Sequence, residues 1–224
     1  MKHNVQRTMT FTSEKFLTTL HNAAKLYSEY VDTTLLFIFR EKKSDVYEYY
    51  EIRFDKNNFM HLAGIRSKTM NANVFYDACL AGTVIRKDCD PRRDANTMYS
   101  KIAVIEQLLD LRNSKCYKIG TKNLVTRDND FEMATGNMNG IIGYDSRITT
   151  KGTNEINRTK AAIPTTLLNN PITDYCIKPK KIMFILQKTD AEHAYNKIFF
   201  EIKKNLLSSE KGSFPDTLKK LISL

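Results

Sequence analysis

Residues 33–54 read TTLLFIFREKKSDVYEYYEIRF. TTLLFIFR (33–40) is an unbroken apolar, β-branched run of strand length, and KKSD (42–45) supplies turn chemistry. VYEYYEIRF (46–54) then follows with aromatic, alternating character. Together the two runs predict a β-hairpin, and with it a sheet rather than a helical bundle.

Upstream, SEKFLTTLHNAAKLYSEYV (13–31) places Phe16, Leu20, Ala23, Tyr27 and Tyr30 on one face at helical spacing, with Thr12 or Ser13 as cap. Downstream, DKNN (55–58) predicts a second turn leading into NFMHLAGI (58–65), read as a strand or turn. MNANVFYDACLAG (70–82) predicts a helix closed by Gly82, and 84–97 a charged loop. MYSKIAVIEQLLDLR (98–112) has the clearest helical stripe, formed by Met98, Ile102, Ile105 and Leu109. KCYKIG (115–120), DFEMATGN (130–137) and GIIGYDS (140–146) are short strand-like runs punctuated by Gly and Asn. Two prolines forbid a regular helix through AAIPTTLLNNPITDYC (161–176). KIMFILQK (181–188) is the strongest strand of the second half, AYNKIFFEIKKNLL (194–207) fits a helix or a long strand, and FPDTLKKLISL (214–224) fits a short amphipathic helix. Helices and strands run in blocks, which predicts an α+β fold with a mainly antiparallel β-sheet packed against helices. One domain over 1–224 is expected, with a core at about 46–200, an N-terminal helix and strand extension over 1–45, and a C-terminal helical segment from 201.

Lysines and arginines outnumber acidic residues by 35 to 25, giving a net charge of +10. Such an excess favours a polyanionic partner, nucleic acid being the commonest. It concentrates in 151–188, where Lys151, Arg158, Lys160, Lys178, Lys180, Lys181 and Lys188 face only Glu155 and Asp174. A solvated basic surface is the alternative. Cys79, Cys89, Cys116 and Cys176 form no CxxC pair, and the four histidines are scattered, so neither a zinc site nor a disulfide framework is expected. No phosphate-cradling glycine loop, HExxH or GxSxG occurs. No cofactor and no metal are therefore expected. The opening MKHNVQRTMTF lacks a signal-peptide core and no run approaches a membrane span, so a cytoplasmic protein without membrane contact is expected.

His61 sits among apolar neighbours, with Arg66 and Lys68 close behind it. It reads either as a core histidine bonded to backbone or as an acid/base beside an anion site. TGNMNGIIGY (135–144) offers turn chemistry, or a backbone that approaches a phosphate with Thr135 and Asn137 as polar contacts. Lys188 closes a buried-looking strand where its side chain can emerge beside a cleft, and Tyr47, Tyr49, Tyr50, Tyr76 and Tyr144 can stack on bases or pack the core.

F-x-H-L-x-G at Phe59–Gly64, F-Y-x-x-C-L at Phe75–Leu80 and G-N-x-x-G-x-I-G at Gly136–Gly143, with IPTTLLNNPI and KIMFILQK after them, form one ordered pattern. The pattern resembles PBECR domains, the phage-associated relatives of the barnase, EndoU, colicin and RelE ribonucleases. The resemblance implies a BECR-like sheet on helices and metal-independent RNA cleavage, in which the ribose 2′-hydroxyl attacks the adjacent phosphate. It implies a toxin, effector or phage-conflict factor, with a cognate immunity protein or a host protein as a further partner. His61 maps onto the motif histidine as acid or base. The remaining expected catalytic residues are Lys188, Thr135 and Tyr144, with Arg66, Lys68, Asn137 and Tyr76 on the substrate. A silent RNA- or protein-binding adaptor that keeps the fold is the competing expectation.

Overall fold

The computed structural model describes residues 11–40, 46–123, 131–145 and 161–224. Lys151, Arg158 and Lys160 of the basic stretch lie outside the described residues. The chain runs α1 (Ser13–Ser28), β1 (Thr33–Arg40), β2 (Tyr47–Phe54), α2 (Lys56–Leu62), β3 (Ile65–Arg66), α3 (Ala72–Ala81), β4 (Asp90–Pro91), α4 (Ala95–Leu109) and β5 (Lys118–Thr121). It continues through β6 (Met133–Gly136), β7 (Ile141–Asp145), β8 (Ile163–Leu168), β9 (Lys180–Thr189), β10 (Lys197–Glu201), α5 (Leu206–Glu210) and α6 (Asp216–Lys219). The protein is α+β, with a curled antiparallel sheet packed against helices.

Strand β9 organises the sheet. β1 pairs along one of its edges, while β5 and β10 share the other, all antiparallel. The order β2-β1-β9-β5-β6-β7-β8 then curls until Ala162, just before β8, bridges back to Ile52 of β2. Two backbone bonds seal that closure, Arg53 N to Ala162 O and Ala162 N to Glu51 O, each 2.8 Å. Little edge is therefore left unpaired there.

Side-chain alternation divides β1 between two cores. Leu35, Phe37 and Phe39 join the large inner core, whereas Leu36 and Ile38 face outward into a second cluster. All six residues Leu35 to Phe39 with Thr34 are buried, which explains a run with no polar alternation. Helices α1 to α4 cover the inner face, and Tyr195, Leu207, Phe214 and Leu218 cover the outer one. The stretch expected as an N-terminal extension is thus built into the core, since β1 lies between β2 and β9.

Tyr27 fixes α1 against the sheet and α2. Its ring lies 5.3–5.8 Å from those of Tyr30, Phe54, Phe59 and Tyr76, and its hydroxyl donates to Asp55 O at 2.8 Å. Tyr30 donates to Leu109 O at 2.9 Å, tying α1 to the end of α4. Cys79, Cys89 and Cys176 are buried free thiols.

Two local expectations are corrected. The segment 55–65 is neither a turn into a strand nor a simple turn. Asp55 N donates to Asn58 Oδ1 at 3.0 Å and starts α2, whose Phe59 and Leu62 go inward three residues apart. The strand comes only after Gly64. The 194–207 stretch is a five-residue strand and a separate helix, because Asn205 turns at φ +61 while Glu201 accepts from Asn205 N and Leu207 N at 2.9 and 2.8 Å. The helices at 13–28 and 72–81 and the hairpin at 33–54 form as expected, with Gly82 left-handed at the close of α3.

Phe214 is 2% exposed and packs on Tyr47 and Phe184. Phe214→Ala should cost roughly 3–5 kcal/mol in urea unfolding, because the outer face of β1 loses its cover. Tyr30→Phe should cost about 1–3 kcal/mol, leaving the Leu109 carbonyl unpaired.

Candidate active site

The expected site residues fall in four places. Thr135 and Tyr144 are fully buried, and their hydroxyls bond to each other at 2.6 Å. Facing strands explain the pairing, since Thr135 stands opposite Ile142 and Tyr144 opposite Met133. Burial holds the Tyr144 phenol well above its ordinary range. Tyr76 is likewise buried, between Tyr27 and Phe59, and burial pushes its phenol up to about 12. As placed, these three side chains pack the core and present no surface to a phosphate or base.

Asn137 carries the β6–β7 turn, its Oδ1 accepting from Asn139 N at 2.7 Å and its N donating to Gly140 O at 3.0 Å. Gly136 beside it is obligatory, because a Cβ there would lie 2.2 Å from Gly140 O.

Lys188 lies on the outer face, in a cleft lined by Glu51, Arg53, Asp190 and Glu192. Its ammonium sits 3.8 Å from Glu51 Oε1 and 4.7 Å above the Tyr195 ring, and Tyr195 donates to the same Glu51 oxygen at 2.7 Å. Arg53 in turn pairs with Asp55 and Asp190. Among the described residues two cations face three lining carboxylates, each cation already paired, a balance that disfavours a phosphate.

His61, Arg66 and Lys68 belong to a different corner, on the inner side. His61 occupies the last turn of α2 and is half-buried. Gly64 then turns left-handed at φ +71, with its N donating to His61 O at 3.0 Å and its O accepting from Arg92 N at 2.9 Å. β3 pairs with β4, setting Arg66 opposite Asp90. Lys68 is exposed and spends its charge on Asp90 at 3.1 Å.

Lys101 of α4 completes this corner. Only 8% of it is exposed, and a Cβ on Gly64 would stand 2.8 Å from its Cδ. Glycine is thus required at 64 twice over, by the backbone turn and by the lysine stem. Lys101 forms no ion pair among the described residues, and neither do Arg66, Arg92 or Arg93. Burial first, then the charges of Arg92 and Arg93, lower the Lys101 amine to about 8. A buried amine with two arginines nearby is costly unless an anion compensates it. Its titration range also suits proton transfer near neutrality. Lys101 was the residue missed in the sequence, although one signal was present: it stands three after Met98 and four before Ile105, on the core stripe of α4.

Among the described residues no three His, Cys, Asp or Glu side chains gather as a possible metal site. Nor is any described helix long and apolar enough to cross a membrane.

The lowered amine predicts a pH signature. The unfolded chain binds a proton on Lys101 up to about 10.5 and the folded protein only up to about 8, so stability should rise with pH between these values. Lys101→Met should remove that rise and stabilise the fold at pH 7 by up to about 3 kcal/mol, read as the difference between wild-type and variant unfolding curves at pH 7 and pH 10.

Comparison with curated proteins and with solved structures gives no match. A family model does match, over residues 19–204, and it takes in the His61–Lys101 corner and every strand of the large sheet. The chain belongs to the phage-Barnase-EndoU-ColicinE5/D-RelE like nuclease 4 family (PBECR4) and is a nuclease-family protein.

Proposed function

We propose that the protein is a metal-independent endoribonuclease whose reaction centre is the corner formed by His61, Lys101, Arg92 and Arg93. The observation that carries this reading is Lys101, buried without a carboxylate partner among the described residues and near Arg92 and Arg93, next to the turn that follows His61. A phosphodiester supplies the missing negative charge.

The reaction needs a base, an acid and cations. His61 accepts the proton of the ribose 2′-hydroxyl as the O2′–P bond forms. The Lys101 ammonium, ready to give up its proton near neutrality, protonates the 5′-oxygen as the P–O5′ bond breaks. The products are a 2′,3′-cyclic phosphate and a 5′-hydroxyl. Arg92 and Arg93 hold the phosphate, with Arg66 toward the neighbouring one, and their charge is most useful as negative charge grows on the phosphoryl oxygens. Lys188, engaged by Glu51, supports the sheet in this reading. A toxin or phage-conflict role, held in check by a partner protein, is the biological setting that the family suggests.

Purified protein incubated with RNA in EDTA should yield fragments ending in 2′,3′-cyclic phosphate. His61→Ala and Lys101→Met should each lower kcat/KM by roughly 10²–10⁴-fold while circular dichroism stays native. Cleavage abolished by Lys188→Gln but kept by His61→Ala would move the reaction centre to the outer cleft. Binding of RNA without any products would replace the enzyme with the adaptor.

A further inference from the structure

At the other end of β9 from Lys188, three cations stand side by side. Arg40 of β1 pairs in register with Lys181 of β9, and Lys181 with Lys118 of β5. Directly opposed residues share a face and sit on strands about 4.8 Å apart, so like charges there repel. Lys178, Lys180 and Lys203 join them around a groove of about 790 Å³ that no carboxylate lines among the described residues. Arg40 pairs with Glu210 at 3.4 Å, and Lys180 with Glu48. Lys118, Lys178, Lys181 and Lys203 have no ion pair among the described residues.

Lys118 also borders a second pocket of about 310 Å³ at the β6–β7 turn. Its walls carry three amides, Gln107, Asn137 and Asn139, beside Met138, which is 66% exposed. Asn139 Nδ2 donates to Gln107 Oε1 at 3.1 Å, and Asn137 Oδ1 is held by the turn. The Gln107 and Asn137 side-chain amino groups and the Asn139 side-chain oxygen have no hydrogen-bond partner among the described residues. An exposed thioether beside amide donors and acceptors matches the flat face and polar edge of an unpaired base.

We infer that the Arg40–Lys181–Lys118 groove and the adjoining amide pocket form an exosite for single-stranded RNA, phosphates in the groove and one base in the pocket. Duplex ends and proteins fit less well, since a paired base hides the edge that the amides would read. The inference rests on the proposed nuclease reading for its biological use but not for its binding chemistry. It explains where a chain extending beyond the scissile phosphate is held, and why net positive charge collects on a face without the acid/base corner.

Fluorescence anisotropy with a labelled single-stranded 2′-O-methyl RNA oligonucleotide, which cannot be cleaved, tests it. Substituting Lys118, Lys181 and Lys203 together by Gln should weaken binding roughly tenfold at low salt. It should also flatten the slope of log affinity against log salt by about 2, three phosphate contacts at about 0.7 each. Met138→Ala, which removes the thioether without changing charge, should weaken binding without flattening that slope. The kcat/KM ratio of a long RNA to a dinucleotide should fall in the triple variant. Unchanged affinity and slope in that variant, or tighter binding of duplex than of single strand by wild type, overturns the exosite. A wild-type protein that cuts no RNA yet loses oligonucleotide affinity in the triple variant overturns the enzyme and keeps the exosite.

Discussion

A strand buried on both faces cannot be half-solvated, and β1 is such a strand. Leu35, Phe37 and Phe39 need cover on one side while Leu36 and Ile38 need it on the other. At about 25 cal/mol per Å² of apolar surface, leaving either side wet would forfeit several kcal/mol. The helices α1–α4 meet the first demand and the segment from Tyr195 to Ile222 meets the second. The outer cover includes residues beyond 204, where the family match stops, so this part of the protein is joined to the nuclease-family core by packing on its central strand.

That double burial leaves polar chemistry only at the margins. On the outer face, charged residues survive at the two ends of the sheet, where the apolar cover stops. One end is self-neutralised, with Lys188 and Arg53 matched by Glu51, Asp55 and Asp190. The other pairs Arg40 and Lys180 with Glu210 and Glu48 but leaves Lys118, Lys178, Lys181 and Lys203 without an acidic partner among the described residues. On the inner side, the turn after α2 brings Gly64 against Lys101 and Arg92. The distinction between paired and unpaired cations, which the sum of +10 does not contain, is what the tertiary structure adds to the charge count.

Much of the fold was legible from period alone. The helical stripe of 13–28, the capping Gly82 and the hairpin of 33–54 each depend on contacts within a few residues or on simple amphipathicity. NFMHLAGI misled because its helix is only two turns long, and a short helix shows too few residues to establish a period. The candidate site was partly legible. His61 and Arg66 stood out by composition and fall in the same corner, whereas Asn137 lies in the β6–β7 turn; Thr135, Tyr144 and Tyr76 read equally well as contacts or as core, and the tertiary structure buries them.

The sequence by itself determined most of the helices and strands, though not those of 55–65 and 194–207, together with the antiparallel α+β class, the basic balance and the family to which the chain belongs. Only the tertiary structure decided which charges are neutralised. Lys188 and Glu51 are 137 positions apart, as Lys101 and Gly64 are 37, and nothing local in either segment anticipates the contact. Register across β1, β9 and β5 is likewise set by which faces must be buried, and a slip of one residue would turn Arg40, Lys181 and Lys118 inward. Burial therefore chooses the register, and the register places the charge.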